Sequence, residues 1–453
     1  TEGIGYGAGW NYKLDFIDIK RAYFNAPAKR DVYVKLPMEQ ADEGYCAKLN
    51  KSMYGTRDAS QNWECEYIRF MESVGFKRGL SSPCLFYHEA KDLRAVVYGD
   101  DFTLLGAEHH LDWFKTEIKQ VYGIEFKARL GPDDGDDKSV RLLNRIVEWT
   151  HEGINIEADQ RHAEIIVREL GLENAVPLSS PPVDKINPKN LSDDDLAELV
   201  GKDATSFRAM VARANYLSID RSDIRFTVKE LARKMSKPRQ IDYERLMHLG
   251  RYLRGKMRVV NEFAYQKNYK IIDIWSDTDH AGCMETRKST TGGVIMFGEH
   301  ALKHWSSTQS LISLSSGEAE YYGCVRAGSQ GLGIKSMLGD LGVKGKRLRI
   351  KTDASVARSL ASRRGLGGIR HIEVNQLWLQ EKVNTGDIEI EKVKGEINRA
   401  DALTKPKDGP RLKQHLEWTN QKLEYGRHDL APKLATGDPL EEYTFEENEE
   451  EQI

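Results

Sequence analysis

Apolar positions set the first divisions of the chain. Short β-rich runs lie at residues 14–19 and 94–98, whereas 110–121 and 160–170 repeat at helical spacing. From Val176 to about Thr205 the periodicity stops. Pro177, Pro181, Pro182 and Pro188 stand there among Ser, Asn and Asp, which predicts a linker or a long surface loop. Beyond it, 204–218, 223–236 and 241–254 predict three basic amphipathic helices. From Ile271 the β signal returns, with strands expected at 271–276, 292–298 and 301–306. A helix after Ser315, a strand at 347–352, a helix after Asp353 and another near 370–383 complete the pattern. Three strands, helix, strand, helix is the order of a sheet with helices packed against it. After about residue 410 the chain turns polar and acidic, and its end, EEYTFEENEEEQI, is expected to be disordered.

Length and composition narrow the class. With 453 residues, 40% apolar and 30% charged, the chain is long enough for several domains and has the composition of a soluble globular protein. It holds no apolar run long enough to cross a membrane as a helix, and no secretory leader is visible. It begins with Thr1, and a piece of a longer precursor is expected. Cysteines at 46, 65, 84, 283 and 324 are odd in number and form no Cys-x-x-Cys pair, so neither a zinc site nor a disulfide framework is expected.

Charge is uneven. The net charge is -3, but residues 438–453 carry eight acids and no base, and the remainder stands at +5. Residues 201–260 hold 15 Lys or Arg against six Asp or Glu, either a solvated face or a surface for a phosphate backbone.

Candidate chemistry lies in carboxylates at predicted strand ends and helix starts. Asp277 ends a strand in IWSDTDHAG, with Asp279 as its competitor. Glu318 opens a helix in LSSGEAEYYG, Asp353 follows a strand in IKTDASVA, and Asp401 opens a short helical stretch in NRADALTK. Each has a structural reading: Ser315 and Glu318 spell a capping box, and Asp353 and Asp401 would pass as helix caps. Gathered together, they would suit hard divalent ions, two of which about 4 Å apart can activate water and stabilise a leaving oxygen. Nearer the start, VVYGDDF places Asp100 and Asp101 at a hairpin turn. Asp18 in LDFIDI, with Asp15 as its competitor, is the candidate third carboxylate.

These segments carry a family resemblance. SDTDHAGCMETRKSTTGGVIMFG, HWSSTQSLISLSSGEAEYYG, KTDASVARSLA, RHIEV and ADALTKP occur in the order seen in the ribonuclease H domain of copia-type LTR retrotransposons. IDIKRAYFNAP, VYVKLP, SMYGTRDASQNW and YGDD resemble the reverse transcriptase of the same elements, and Phe207 to Lys256 resembles their connecting segment. The resemblance implies an α/β and α+β multidomain fold. It comprises a polymerase palm at 1–175 with the fingers largely missing, a linker at 176–205, a basic helical connection at 206–262, a ribonuclease H domain with a mixed sheet at 270–406, and a polar, acidic tail at 407–453.

The resemblance further implies that Asp18, Asp100 and Asp101, and separately Asp277, Glu318, Asp353 and Asp401, each hold two Mg2+ ions, with Mn2+ as a substitute. Glu320 is expected to face away. Tyr23 falls where an aromatic gate excludes a 2′-hydroxyl, and Tyr54, Gly55 and Arg57 fall in a tract under template and nucleotide. The implied partners are RNA–DNA hybrids, an RNA template with a DNA primer, and deoxynucleoside triphosphates, with no membrane. The implied setting is a cytoplasmic virus-like particle or the nucleus. A nuclease without polymerase function and a dead nucleic-acid-binding remnant are the alternative readings. The loop VKGEINRAD before Asp401 has no histidine, so a carboxylate-only nuclease centre is expected, and His371 is read as structural or strand-contacting.

Overall fold

A computed structural model describes residues 12–37, 39, 44–182, 188–266, 269–365, 371–372 and 374–434. Among them, no helix is long and apolar enough to cross a membrane.

The first region is built on β1 (Tyr12–Ile19), whose residues are mostly buried. A small hairpin of β2 (Tyr33–Lys35) and β3 (Cys46–Lys48) follows, then α1 (Ala59–Ser73), β4 (Lys77–Arg78), β5 (Leu85–His88), β6 (Leu93–Tyr98), β7 (Asp101–Ala107), α2 (Glu108–Val121) and β8 (Ile124–Leu130). The sheet runs β4-β5-β6-β7-β1-β8, with β1 held antiparallel between β7 and β8. Its core lies between one face and the helices. Trp63, Tyr67, Phe70 and Met71 from α1 and Leu111, Phe114 and Ile118 from α2 meet Ile17, Ile19, Phe86, Val97 and Phe102.

The middle region holds β9 (Ser139–Leu142), β10 (Arg145–Trp149), β11 (Gly153–Glu157), α3 (Arg161–Glu169), α4 (Asp193–Leu196), α5 (Gly201–Leu217), α6 (Arg225–Ala232), α7 (Gln240–Gly255) and β12 (Arg258–Ala264). Helices α3, α5, α6 and α7 share one apolar core around Phe207, Leu246, Leu249 and Leu253. The expected linker at 176–205 is not wholly loop. Ser192 caps α4 through a reciprocal bond pair with Asp195, and α5 begins at Gly201.

The third region contains β13 (Ile271–Asp279), β14 (Thr290–Phe297), β15 (His300–Thr308), α8 (Ser316–Asp340), β16 (Arg347–Thr352), α9 (Ser355–Ser362), α10 (Trp378–Asn384) and β17 (Ile388–Lys392), and the chain continues into α11 (Gly409–Trp418) and β18 (Gln421–Glu424). The sheet order is β15-β14-β13-β16-β17, antiparallel on the β14 side and parallel through β16 and β17. Helix α8 crosses β13 closely because Gly323 and Gly331 leave room. A Cβ at Gly323 would stand 2.6 Å from Thr278 Oγ1, and one at Gly331 would stand 2.2 Å from Ile274 Cδ1.

Boundaries drawn at 175 and 407 run through a third sheet, of order β18-β12-β11-β10-β9. Strands from 139–157 pair with β12, which in turn pairs with β18 from beyond residue 420. Part of the expected tail is therefore a buried-faced helix and a strand. Leu412, His415 and Leu416 are buried on α11, and Gln421 is buried on β18. The acidic stretch from Asp438 lies outside the described residues.

Two carboxylate centres

The first centre sits where β1 meets the β6–β7 hairpin. The register pairs Asp18 with Asp101, and Tyr98 with Asp101 closes a two-residue turn of Gly99 and Asp100. Gly99 has φ +63°, so the turn needs a residue without a Cβ penalty at this point. Two bonds fix the turn. Trp63 Nε1, buried on α1, donates to the Gly99 carbonyl at 2.8 Å, and Ile19 N donates to the Asp100 carbonyl at 2.9 Å.

Lys127, reaching over from β8, places Nζ 2.7 Å from Asp101 and 3.0 Å from Asp18. Burial, with Asp18 and Asp101 adding to it, raises the Asp100 carboxyl above its ordinary range. Asp15, the competitor of Asp18, is 1% exposed and forms a two-pronged bond with Arg129 at 2.6 and 2.7 Å, a structural pair remote in role from the turn.

The Tyr23 and Tyr54 rings stack at 4.4 Å, and Phe24 meets Tyr54 edge-on at 5.6 Å. Gly55 has φ +87° beside them, and Arg57 is exposed. Beside this surface, Arg30 binds Asp58 at 2.9 Å and Asn62 donates to it at 3.1 Å.

Of the four carboxylates expected to gather at the second centre, Asp277 and Asp353 fall in one cluster, while Glu318 and Asp401 do not. Asp277, Glu320 and Asp353 bring one oxygen each within 4.8 Å of one another. Glu318 is not among them. It sits three residues after the N-cap Ser315, accepts Leu314 N at 3.0 Å, Tyr322 Oη at 2.9 Å and His371 Nε2 at 2.9 Å, and is the structural group that the capping-box reading describes. The helix turns about 200° between 318 and 320, so one of the two carboxylates must point away from β13, and it is Glu318. His371 thus contacts Glu318.

Glu320 takes Thr278 N at 3.2 Å on one oxygen, and its other oxygen is buried with no hydrogen-bond partner among the described residues. Burial, followed by the Asp277 and Asp353 charges, pushes its carboxyl up to about 9. Burial likewise lifts Asp277 to about 6, against the pull of Lys405 and the Thr404 hydroxyl. Asp401 stands beside the three. Although burial works the other way, Lys405 at 2.5 Å and Lys407 hold it below the usual carboxylate range. The segment carrying Asp401 is tied to β13 by Asn398 Nδ2 on the Ser276 carbonyl at 2.9 Å and by Thr404 Oγ1 on Asp277. Asp279 is outside the cluster, with its carboxylate against Gly282.

Lys127, Lys405 and Lys407 were not legible as site residues in the sequence, because nothing in spacing tells which lysine reaches back to which acid. Most of the basic block is internally engaged. Arg221 binds Asp223 in full burial, Lys229 and Arg233 bind Glu230, Lys234 and Arg239 bind Glu285, and Arg258 binds Glu157. Arg208, Arg251 and Arg254 donate to backbone carbonyls.

Residues 5–132 match the family model of the reverse transcriptase (RNA-dependent DNA polymerase). The chain is 24% identical over 411 residues to the retrovirus-related Pol polyprotein from transposon TNT 1-94 of Nicotiana tabacum, covering 89% of this chain and 30% of that protein. It is 24% identical over 420 residues to the Pol polyprotein from transposon RE1 of Arabidopsis thaliana, covering 89% and 27%. The chain therefore spans about 30% of the length of these relatives. A solved foamy viral protease–reverse transcriptase in complex with an RNA/DNA hybrid overlays 85% of this chain and 44% of its own, with 10% identity and a TM-score of 0.47. Over most of its length the chain is similar to Pol polyproteins of plant retrotransposons, and its residues 5–132 match the reverse transcriptase family.

Proposed function

We propose that the second centre cuts the RNA strand of an RNA–DNA hybrid and that the first extends a DNA primer on an RNA template. The observation that carries the nuclease reading is the convergence of Asp277, Glu320 and Asp353 from three separate elements onto one point. The donor set suits a hard dication: all ligands are carboxylate oxygens, and the buried Glu320 oxygen without a partner is the acceptor that a cation would complete. Asp277, Glu320 and Asp353 would hold Mg2+ there, with Asp401 alongside. Mg2+ bound at such a site lowers the pKa of water and stabilises charge on a phosphoryl oxygen. The chain's own part is to fix the carboxylates. Thr404 orients Asp277, Thr278 N orients Glu320, and Lys405 with Lys407 orients Asp401.

At the first centre, Asp18, Asp100 and Asp101 would hold Mg2+ beside a deoxynucleoside triphosphate, and Tyr23, braced by Tyr54, would stand against the sugar. One observation favours a second reading, a nuclease without polymerase function: Lys127 bridges Asp18 and Asp101, whereas Lys405 and Lys407 bind Asp401 and leave the three clustered oxygens facing one another.

Incubation with Mg2+ and a labelled hybrid tests the main reading. RNA cleavage that disappears in Asp277→Asn while hybrid binding persists is expected, and intact RNA at high protein concentration would overturn the nuclease assignment. Primer extension that survives Asp100→Asn would overturn the polymerase assignment and leave the nuclease one standing.

A further inference from the structure

Helix α8 begins at the nuclease cluster and ends on the polymerase region. At 25 residues it is about 37 Å long. Glu320 lies in its first turns and Asp340 is its last residue. An acid at a helix C-terminus is disfavoured by the helix dipole unless donors meet it. Asp340 has them: Ser81 N donates to Oδ2 at 2.8 Å, and the Ser81 hydroxyl donates to the same oxygen. The turn wraps it so tightly that a Cβ on Gly79 would stand 2.9 Å away. One residue on, the Leu341 carbonyl accepts Arg94 Nε at 2.9 Å. Gly342, with φ +82°, packs beneath the Tyr87 ring, where a Cβ would lie 2.6 Å from it.

Arg94 is not free to swing. Its guanidinium lies over the Tyr87 ring at 5.4 Å and pairs with Asp92 at 2.9 Å, while Asp92 also accepts the hydroxyls of Tyr87 and Tyr12. Arg94 stands on β6, whose Leu93, Ala95 and Val97 are fully buried and whose end feeds the Gly99–Asp100 turn. Two stiff elements therefore join the two carboxylate centres: about 20 Å of strand and about 30 Å of helix.

The junction also closes a ring. The first region meets the middle one where Arg129 and Leu130 meet Asp137 on the approach to β9. The middle region meets the third through Lys229 on Thr290 at 2.9 Å and Gln266 on the Phe297 carbonyl at 2.8 Å. Asp340 and Arg94 complete the circuit.

We propose that Asp340 and Arg94 are positioning residues that fix where the nuclease cuts relative to the primer terminus, so that one hybrid duplex is engaged at both centres with a set spacing. This rests on the function proposed above. The test uses the full chain, a recessed DNA primer on labelled RNA, and cut positions mapped from the primer 3′ end. The native chain is expected to give one narrow cluster of cuts. The double variant Arg94→Ala, Asp340→Ala is expected to at least double the width of that cluster while total RNA hydrolysis on a long uniform hybrid stays within twofold. Asp340→Asn alone, which keeps an acceptor for Ser81, is expected to retain the narrow cluster.

An unchanged cluster in the double variant would overturn the proposal and leave the nuclease reading intact. No cleavage by the native chain would overturn that reading instead. The junction is then read without activity, by electron paramagnetic resonance distances between spin labels at the exposed Val121→Cys and Val356→Cys, with Cys46, Cys65, Cys84 and Cys283 replaced by serine. A distance distribution that broadens in the double variant supports the junction, and one of unchanged width overturns it.

Discussion

A few atoms decide each centre. Glu318 and Glu320 are indistinguishable by composition; the resemblance points to Glu318, whereas the one that clusters with Asp277 and Asp353 is Glu320. The deciding fact is the helix phase set by Ser315, which sequence spacing leaves open until the sheet beneath the helix is known. Glu320→Gln is expected to lower hybrid cutting by at least about 100-fold. Glu318→Gln is expected to cost no more than about 10-fold, through the loss of an orienting bond near the site. Equal losses in a single-turnover cleavage assay would refute this assignment of roles. At the other centre Trp63 is the residue to change. Trp63→Phe keeps an aromatic ring in the core but leaves the Gly99 carbonyl without its donor, and is expected to cost about 1 kcal/mol in denaturant unfolding and to reduce primer extension more than hybrid cutting. Pattern alone likewise leaves Asp18 and Asp15 undecided; Arg129 engages Asp15, while Asp18 lies opposite Asp101.

At the scale of elements, long periodic segments were legible. The strands at 271–279 and 290–297, the helix from 316 and the three helices between 201 and 255 stand where their apolar spacing puts them, with ends moved by a few residues. The strands at 139–142, 145–149 and 153–157 were not legible, because each is five residues or fewer and mixes Ser, Arg, Glu and Asn into its pattern. Such strands are stabilised by their partners rather than by local preference. The helix-and-strand pair at 409–424 reads as tail because charged and polar residues dominate it and its strand has only four residues. Truncation after residue 408 would bare the β12 edge and remove Gln421, which donates to the Asp220 carbonyl at 2.9 Å. Loss of soluble folded protein is expected, checked by circular dichroism and size-exclusion chromatography. Gly323→Ala on α8 gains about 1 kcal/mol of helix propensity but drives a methyl into Thr278 Oγ1 and Ser276 Oγ. Net destabilisation by about 1–2 kcal/mol is expected in denaturant unfolding.

Across the whole molecule, a buried polar knot joins α11, β18 and the middle region. Arg221, Asp223 and Tyr252 are fully buried together, and His415 Nε2 meets Ser222 Oγ at 2.9 Å. Burial pushes His415 down to about 4 and His304 down to about 3, with Arg225 adding to the effect at His304 and Asp223 opposing it at both. Both folded values lie below the ordinary histidine value near 6.5. The unfolded chain therefore takes up these protons first as pH falls, and folding stability declines below about pH 6.5 until the folded values are reached. For His415 the loss is on the order of 3 kcal/mol by pH 4. Denaturant midpoints measured at intervals between pH 7 and 4 should fall, and His415→Gln should flatten the slope.

The sheet of order β18-β12-β11-β10-β9 has a consequence for how the chain comes to be folded. Its strand β12 leaves its outer edge open until β18 arrives, 163 positions later in sequence, after the whole third region has been made. Contacts of such long loop closure are slow to form and raise contact order. On the ribosome, residues 12–130 can settle as soon as they emerge, while the middle region waits with an unpaired β edge. A chain broken within the third region before this closure would lose the means to finish a sheet that began near residue 139, so the two activities proposed here are joined first of all by the order in which the polypeptide folds.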